Sequence, residues 1–462
     1  MKFIVTISLF LIAQLTFSQD KAQKIDSLLN AYYTKGKING NFLVAEKGKV
    51  IYSKSFGYAD EETKEKLDEN TIFELASCSK QFTAMGIMIL KERGKLNLED
   101  ELGKYIPELS FYKGVIIKNL LNHTSGLPDY MELLDSLFDK TKIATNKDII
   151  DLFAKEQPKV SFEPNSKFEY SNTGFALLAS IIENVSGLSF GDFLAESIFK
   201  PLQMNRTFVY TRRYAPKKID NYAYGYVYSD SLNKFVLPDE LPETEIVIWL
   251  DGIVGDGCVN STVNDLLKWD RALYTDKLIS KKGIKAVFMA QTLNDKSKSN
   301  YGYGWGLDKN KTFGEIASHS GGWPGYVTFI DRHIGEDRTI IALQNHDNVV
   351  LPIKAIRYIL INEEMPAKKV QTEITLKKEQ LEKFVGIYKG EQDFEFKVFL
   401  EDEKLLVQLT GQSAIQLHPE SELSFFIKEV DAQIQFKKNA NDEIEKLVLL
   451  QNGQKLEAIR AK

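Results

Sequence analysis

The chain has 462 residues, 43% hydrophobic and 11% aromatic, which is enough to bury a substantial core in two or more domains and rules out a disordered or low-complexity polymer. Lys and Arg total 59 against 64 Asp and Glu, a formal charge of -5. Neither sign collects into a long block, so the charge pattern points away from nucleic acid and from polybasic membrane attachment.

The first residues, MKFIVTISLFLIAQLTFSQD, set a lysine before an apolar run that is short for a membrane span and ends in small residues. This layout predicts a signal peptide over 1–18, a mature chain starting near Gln19 or Asp20, and a periplasmic or secreted location. No cysteine follows the run to carry a lipid, and no later segment reaches the length of a transmembrane span. Lys24 to Lys35 reads as a helix, with Ile25, Leu28, Leu29 and Tyr32 on one side. Phe42 to Ala45 and Val50 to Ser53 read as strands joined through Lys47-Gly48 in a hairpin.

From Thr71 to about Ala290 helical signals dominate: Phe82 to Arg93 closed by Gly94, Lys147 to Lys155, Thr173 to Asn184 closed by Ser186-Gly187, and Thr262 to Leu273. Strand patterns return at Tyr301 to Leu307, Tyr326 to Asp331 and Thr339 to Asn345, followed by a helix over Val350 to Ile361. Strands, then helices, then strands predict an α/β (α+β) domain over 19–365. Its antiparallel sheet would be built from both ends of the domain and flanked by helices, with a helical region inserted. Pro366 and nearby lysines mark a linker over 366–380. Short alternating runs from Leu381 then predict a small all-β, barrel-like domain over 381–462.

The cysteines are Cys78 and Cys258, and the histidines are His123, His319, His333, His346 and His418. None of the histidines stands in H-E-x-x-H spacing or beside a Cys-x-x-Cys pair, so no metal and no cofactor is expected. Two free thiols are the simplest reading, with a Cys78–Cys258 disulfide the alternative.

Three short motifs can carry chemistry. In FELASCSKQF, Ser77 and Lys80 stand three apart at the start of a helix, on one face. There a neutral lysine amine can take a serine proton, and outward-pointing N–H groups favour an oxyanion. A capping serine beside a surface lysine is the plainer alternative. In FEYSNTGF, Tyr170, Ser171 and Asn172 precede an apolar helix, either as caps or as a proton shuttle (Tyr170) and a substrate hydrogen-bond donor (Asn172). In SHSGGWPGY, His319, Ser320, Gly321 and Gly322 precede the Tyr326 strand, where glycines admit a substrate backbone against an edge strand. Gly187 to Gly191 matches G-x-S-x-G, but a helix rather than a strand precedes it. Ser189 with Asp192 therefore reads as a helix cap, not a nucleophile.

In this order, Ser77 to Lys80, Tyr170 to Asn172 and His319 to Gly321 resemble the three signature elements of the serine β-lactamase and penicillin-binding protein superfamily, and most nearly those of its class C branch. LLNHTSGLPDY and GDGCVNSTVNDLLKW resemble two further segments of that branch, with Cys258 where glycine is more usual. The resemblance covers about Ile38 to Ile361. The terminal domain resembles small barrel-like modules appended to such hydrolases.

The resemblance implies an acyl-enzyme on Ser77, with Lys80 and Tyr170 managing protons and Asn172, His319, Ser320 and Gly321 binding substrate. It also implies an oxyanion held by the N–H groups of Ser77 and of a residue between His319 and Tyr326. The implied substrate is a small molecule or peptide, cell-wall-derived peptides included, with a D-amino-acid peptide, amide or ester bond. A true class C-like β-lactamase and a catalytically quiet cell-wall peptide-binding member are the alternatives. Because His319 stands where penicillin-recognising relatives often carry lysine, an ordinary imidazole there predicts weak carboxylate binding at neutral pH and tighter binding toward pH 6.

Overall fold

The computed structural model describes residues 19–366, 372–390, 394–409, 414–428, 430, 432–451 and 454–461. The expected signal peptide, 1–18, and the stretch 367–371 of the expected linker lie outside the described residues. The chain divides between Met365 and Pro366 into two compact units. Among the described residues no single helix is long and apolar enough to cross a membrane.

The first unit is organised by a six-stranded antiparallel sheet. Its first hairpin is β1 (Gly40–Glu46) and β2 (Lys49–Phe56). Lys47 and Gly48 both take positive φ, 51° and 72°, the turn geometry whose twist matches that of paired strands. The other four strands come from far along the chain: β3 (Gly306–Asn310), β4 (Gly314–Trp323), β5 (Tyr326–His333) and β6 (Arg338–Gln344). The spatial order is β2-β1-β6-β5-β4-β3, and β1 pairs with β6 from Gly40↔Gln344 to Glu46↔Arg338. Both ends of the unit thus build one sheet, as the strand-helix-strand order predicts.

β1 is apolar on both faces because both are covered. Phe42 and Val44 pack with Ile340 and Ala342 under helix α1 (residues 19–33) and the C-terminal helix of the unit, Ile353–Leu360. Leu43 and Ala45 face the larger core of the inserted helical region. In that region α2 (Lys80–Glu92) crosses α3 (Asn172–Ser186) closely. A Cβ on Gly86 would lie 2.8 Å from Ile182 Cδ1. Gly187, at φ 73°, ends α3 in the left-handed conformation that its sequence position predicts.

Two strand expectations need correction. Tyr301 to Leu307 is not a strand through its length. Only Gly306 onward enters β3, and Gly304, at φ 75°, lies where a Cβ would come within 2.7 Å of the Lys80 carbonyl oxygen. Its glycines serve close packing against helices, which breaks the strand. Conversely, no strand is expected immediately before the Tyr326 strand, yet His319 to Gly322 lie inside β4, whose paired glycines hide a ten-residue strand from a propensity reading.

A buried ion cluster ties helix α4 (Val263–Ala272) to this sheet. Asp270 accepts from the Arg332 guanidinium of β5, from Arg271 and from the Thr339 hydroxyl of β6 at 2.8 Å. Asp270 and Arg332 are both fully buried.

The second unit is a closed eight-stranded barrel in sequence order from Gly386–Lys389 to Gln454–Arg460. The first and last strands meet at Tyr388↔Arg460 and Lys389↔Ile459, so this sheet has no open edge. Tyr388, Phe396, Phe425, Phe436 and Leu447 fill its interior.

Removing one partner of a buried ion pair leaves the other charge uncompensated. Asp270→Ala should therefore destabilise the first unit by about 3–5 kcal/mol in urea unfolding. A loss below about 1 kcal/mol would show that Arg332 finds other compensation.

Candidate active site

Ser77 lies in a single 3-10 turn, Ala76–Ser79, between the short strand Phe73–Glu74 and α2. Its hydroxyl caps nothing, since neither the turn nor α2 has a side-chain cap. Ala76, just before it, is held at φ 47°, a conformation that costs a non-glycine residue energy and is kept only under constraint from its surroundings. The sheet supplies that constraint. Thr328 of β5 donates to the Leu75 carbonyl at 2.7 Å, and the Cys78 thiol donates to the His319 carbonyl of β4 at 3.2 Å. A Cβ on Gly321 would lie 2.1 Å from Leu75 O and 3.2 Å from Ala76 Cβ. The serine turn pressing on β4 is thus by itself enough to require glycine at 321.

Lys80 is fully buried. Its Nζ lies 3.0 Å from Ser77 Oγ, 2.9 Å from Asn172 Oδ1 and 2.9 Å from the Asp256 carbonyl oxygen. The last two are obligate acceptors and each takes an N–H. The third direction on the nitrogen is left to Ser77: a proton when the amine is charged, the lone pair when it is neutral. Asn172 begins α3, and Asp129 fixes it by accepting from its backbone N–H at 3.0 Å. Asp256 sits in the loop before the strand Val259–Ser261. Its carboxylate accepts from Tyr130 at 2.8 Å, and burial raises its pKa against the pull of Lys80.

Tyr170 is exposed, with its ring 5.0 Å from Lys80 Nζ. It packs on the buried His123, ring centroids 4.2 Å apart, and His123 in turn meets Tyr301 at 4.6 Å. His123 Nδ1 accepts the Ser171 N–H at 3.2 Å, so the imidazole anchors the backbone beside Tyr170.

His319 is buried, and both its nitrogens are engaged within the protein. Nδ1 lies 2.6 Å from the Ser320 carbonyl and must donate to it, which leaves Nε2 to accept from Tyr301 Oη at 2.7 Å. Burial, with Lys80 nearby, pushes the imidazole down to about 4. The expected gain of positive charge toward pH 6 is therefore corrected, because the ring is still neutral there. Ser320 is exposed on β4. β3 pairs only with Gly314 to Ser318, so among the described residues His319 to Trp323 have no strand partner on that side and form an open edge.

A cleft of about 130 Å³ opens at Ser77, lined also by Asn172, Asp256, Gly322, Trp323 and Glu74. Ser77 and Asn172 face it directly, whereas Lys80, Tyr170 and His319 stand behind or beside it. Ser189 is remote in role: it caps its own helix, accepting from the Asp192 N–H at 3.1 Å and donating to the Asp192 carboxylate at 2.6 Å. Cys78 and Cys258 are free thiols. Among the described residues no cluster of His, Cys, Asp or Glu could hold a metal. Sequence reasoning missed Asp256, Tyr130, His123 and Tyr301 as holders of the site. Their only signal was their place in LLNHTSGLPDY, GDGC and YGYGWGL.

The Beta-lactamase family model matches residues 25–362. Penicillin-binding protein 4* of Bacillus subtilis is 42% identical over 455 residues, covering 96% of this chain and 100% of that protein. The octameric penicillin-binding protein homologue from Pyrococcus abyssi superposes with a TM-score of 0.66 at 24% identity, over 95% of this chain and 100% of that one. D-amino acid amidase from Ochrobactrum anthropi gives 0.61 at 24% identity, over 74% and 99%. At that identity the two structural likenesses carry the fold alone. The family match over most of the chain and the near end-to-end likeness to the Bacillus protein carry more: this chain belongs to the beta-lactamase family of serine hydrolases.

Proposed function

We propose that the protein is a secreted or periplasmic acyl hydrolase that uses Ser77 as nucleophile on D-amino-acid peptide, amide or ester bonds. The observation that carries this reading is the Lys80 amine, buried 3.0 Å from Ser77 Oγ with its other two directions taken by carbonyl oxygens. Ser77 attacks the carbonyl as Lys80 takes its proton, and Tyr170 passes a proton to the leaving group. The N–H of Ser77 and one from the Gly322–Trp323 end of β4 hold the oxyanion. Asn172, Ser320 and the open edge of β4 position the substrate, and water then releases the acyl group. The arrangement supports a hydrolase over a quiet peptide-binding member, because a binding module has no use for a buried amine aimed at a serine. The neutral, internally bonded His319 favours amides and esters over β-lactams, whose carboxylate it offers no charge.

Ser77→Ala should abolish covalent labelling by a fluorophosphonate, and Ser189→Ala should leave it intact. Label mapped to Ser189 would overturn the assignment. Lys80→Ala and Tyr170→Phe should each slow acylation by roughly 10²-fold or more, measured as single-turnover rate. Wild-type kinetics in Tyr170→Phe would reduce that tyrosine to packing.

The pH dependence follows from the lowered pKa of His319. A histidine whose folded pKa lies near 4, below its unfolded value of about 6.5, makes the unfolded state the better proton binder in between. Its contribution to stability is whole above about pH 6.5 and is lost as pH falls toward 4. Inhibition by a carboxylate-bearing ligand should accordingly not tighten between pH 8 and 6, and His319→Gln should not change that profile. A Ki that improves several-fold on acidification in wild type and not in His319→Gln would restore a charged clamp.

A further inference from the structure

The hydrogen bonds of the Lys80 amine go to uncharged oxygens, so its charge is balanced only at longer range. The titratable groups on which that charge acts include Cys78, His123, His319 and Asp256. The first three are neutral near pH 7. Burial pushes the Cys78 thiol up to about 12, holds His123 well below the usual imidazole range and takes His319 down to about 4. Tyr170 adds a phenol, its ring 5.0 Å from Nζ. Asp256 differs in kind. Burial raises its carboxyl above the usual carboxylate range, and Lys80 and a hydrogen bond from Tyr130 pull it back toward the ionised form.

Asp256 meets Lys80 through its main chain. Its carbonyl oxygen takes the amine at 2.9 Å, while its carboxylate Oδ2 accepts from the Tyr130 hydroxyl at 2.8 Å. Tyr130 is buried and held in place: its N–H donates to the Thr173 hydroxyl at 2.8 Å, and that hydroxyl donates to the Pro128 carbonyl at 2.6 Å. Around the Asp256 carboxylate, burial keeps the Tyr130 phenol and the Cys258 thiol protonated. Asp129 is a like charge, and its oxygens accept the Asn172 and Met131 N–H groups at 3.0 and 2.9 Å. Glu74 and Asp251, in the same cleft wall, face Arg213. The cation that acts on Asp256 is Lys80.

We infer that Asp256 is a positioning residue for acylation: its carboxylate, aimed by Tyr130, is the counter-charge that holds the proton on Lys80 and so sets the pH above which the amine serves Ser77 as base. An anion near an amine favours the ammonium, so removing the anion makes the neutral amine available at lower pH. Side chain and carbonyl belong to one residue, so the bond from Tyr130 that aims the carboxylate also steadies the carbonyl on Nζ. This rests on the serine acyl-transfer reading above.

The test is the rate constant for fluorophosphonate labelling of Ser77 in the full-length protein, followed from about pH 5 to 10 in wild type, Asp256→Asn, Asp256→Glu and Tyr130→Phe. Asparagine keeps an oxygen for Tyr130 and removes only the charge. In Asp256→Asn the acid limb should lie about one pH unit below that of wild type, a gain of about ten-fold in relative rate on the acid side. Asp256→Glu keeps the charge and should keep the limb near wild type. Tyr130→Phe removes the donor that favours the ionised carboxylate and should move the limb the same way as asparagine, by less. The midpoint of the limb belongs to the folded molecules, so a lower folded fraction does not alter it. A lower plateau with an unmoved limb in Asp256→Asn is what a merely structural role gives and overturns the inference, as does an equal shift in Asp256→Glu. Absence of label on Ser77 in wild type overturns the serine reading with it.

Discussion

A single buried amine sets the terms for the catalytic unit. Lys80 has no exposed surface and no carboxylate in direct contact, so its nitrogen must be satisfied by oxygen atoms placed around it. Those atoms come from three distant parts of the chain: Ser77 one turn back, Asn172 at the start of α3 and the Asp256 carbonyl before the strand Val259–Ser261. The inserted helical region has to converge on α2 for the lysine to be tolerated there at all. Asp129 and Tyr130, which hold Asn172 and Asp256 in turn, extend the same requirement outward.

The sheet supplies the second condition, an exact seat for the serine turn against β4 and β5. Thr328, the His319 carbonyl and the missing side chain of Gly321 together hold Leu75 to Cys78, with Ala76 kept in the left-handed region. Strain of this kind persists only where the surroundings over-determine it. The buried Asp270–Arg332 cluster fastens the helix that follows the Asp256 loop to β5 and β6, so the two halves of the site share one frame.

Electrostatically the site is divided. A belt of aromatic rings, Tyr170, His123, Tyr301 and His319, lies along one side, each histidine bonded within the protein. Carboxylates line the other side, Glu74, Asp251 and Asp256, with Arg213 and Arg212 drawing on Glu74.

By itself the sequence determined the elements whose signals are local. Period-3.6 runs ending at Gly94 and Gly187, the Lys47-Gly48 turn, the alternation of the barrel strands and the Ser77–Lys80 spacing all depend on neighbours a few residues away, and all were legible. Glycines misled where their cause lay elsewhere in the chain. Gly304 answers the Lys80 carbonyl and Gly321 answers Leu75, so one predicted strand shrank and another was hidden. Tertiary structure alone decided that Asp256 would hold Lys80, that His123 would lie under Tyr170, and that His319 would be neutral. Each of these depends on burial and on partners tens to hundreds of residues away, and a pKa is set by the solvent and charges around a group, which a linear sequence does not specify.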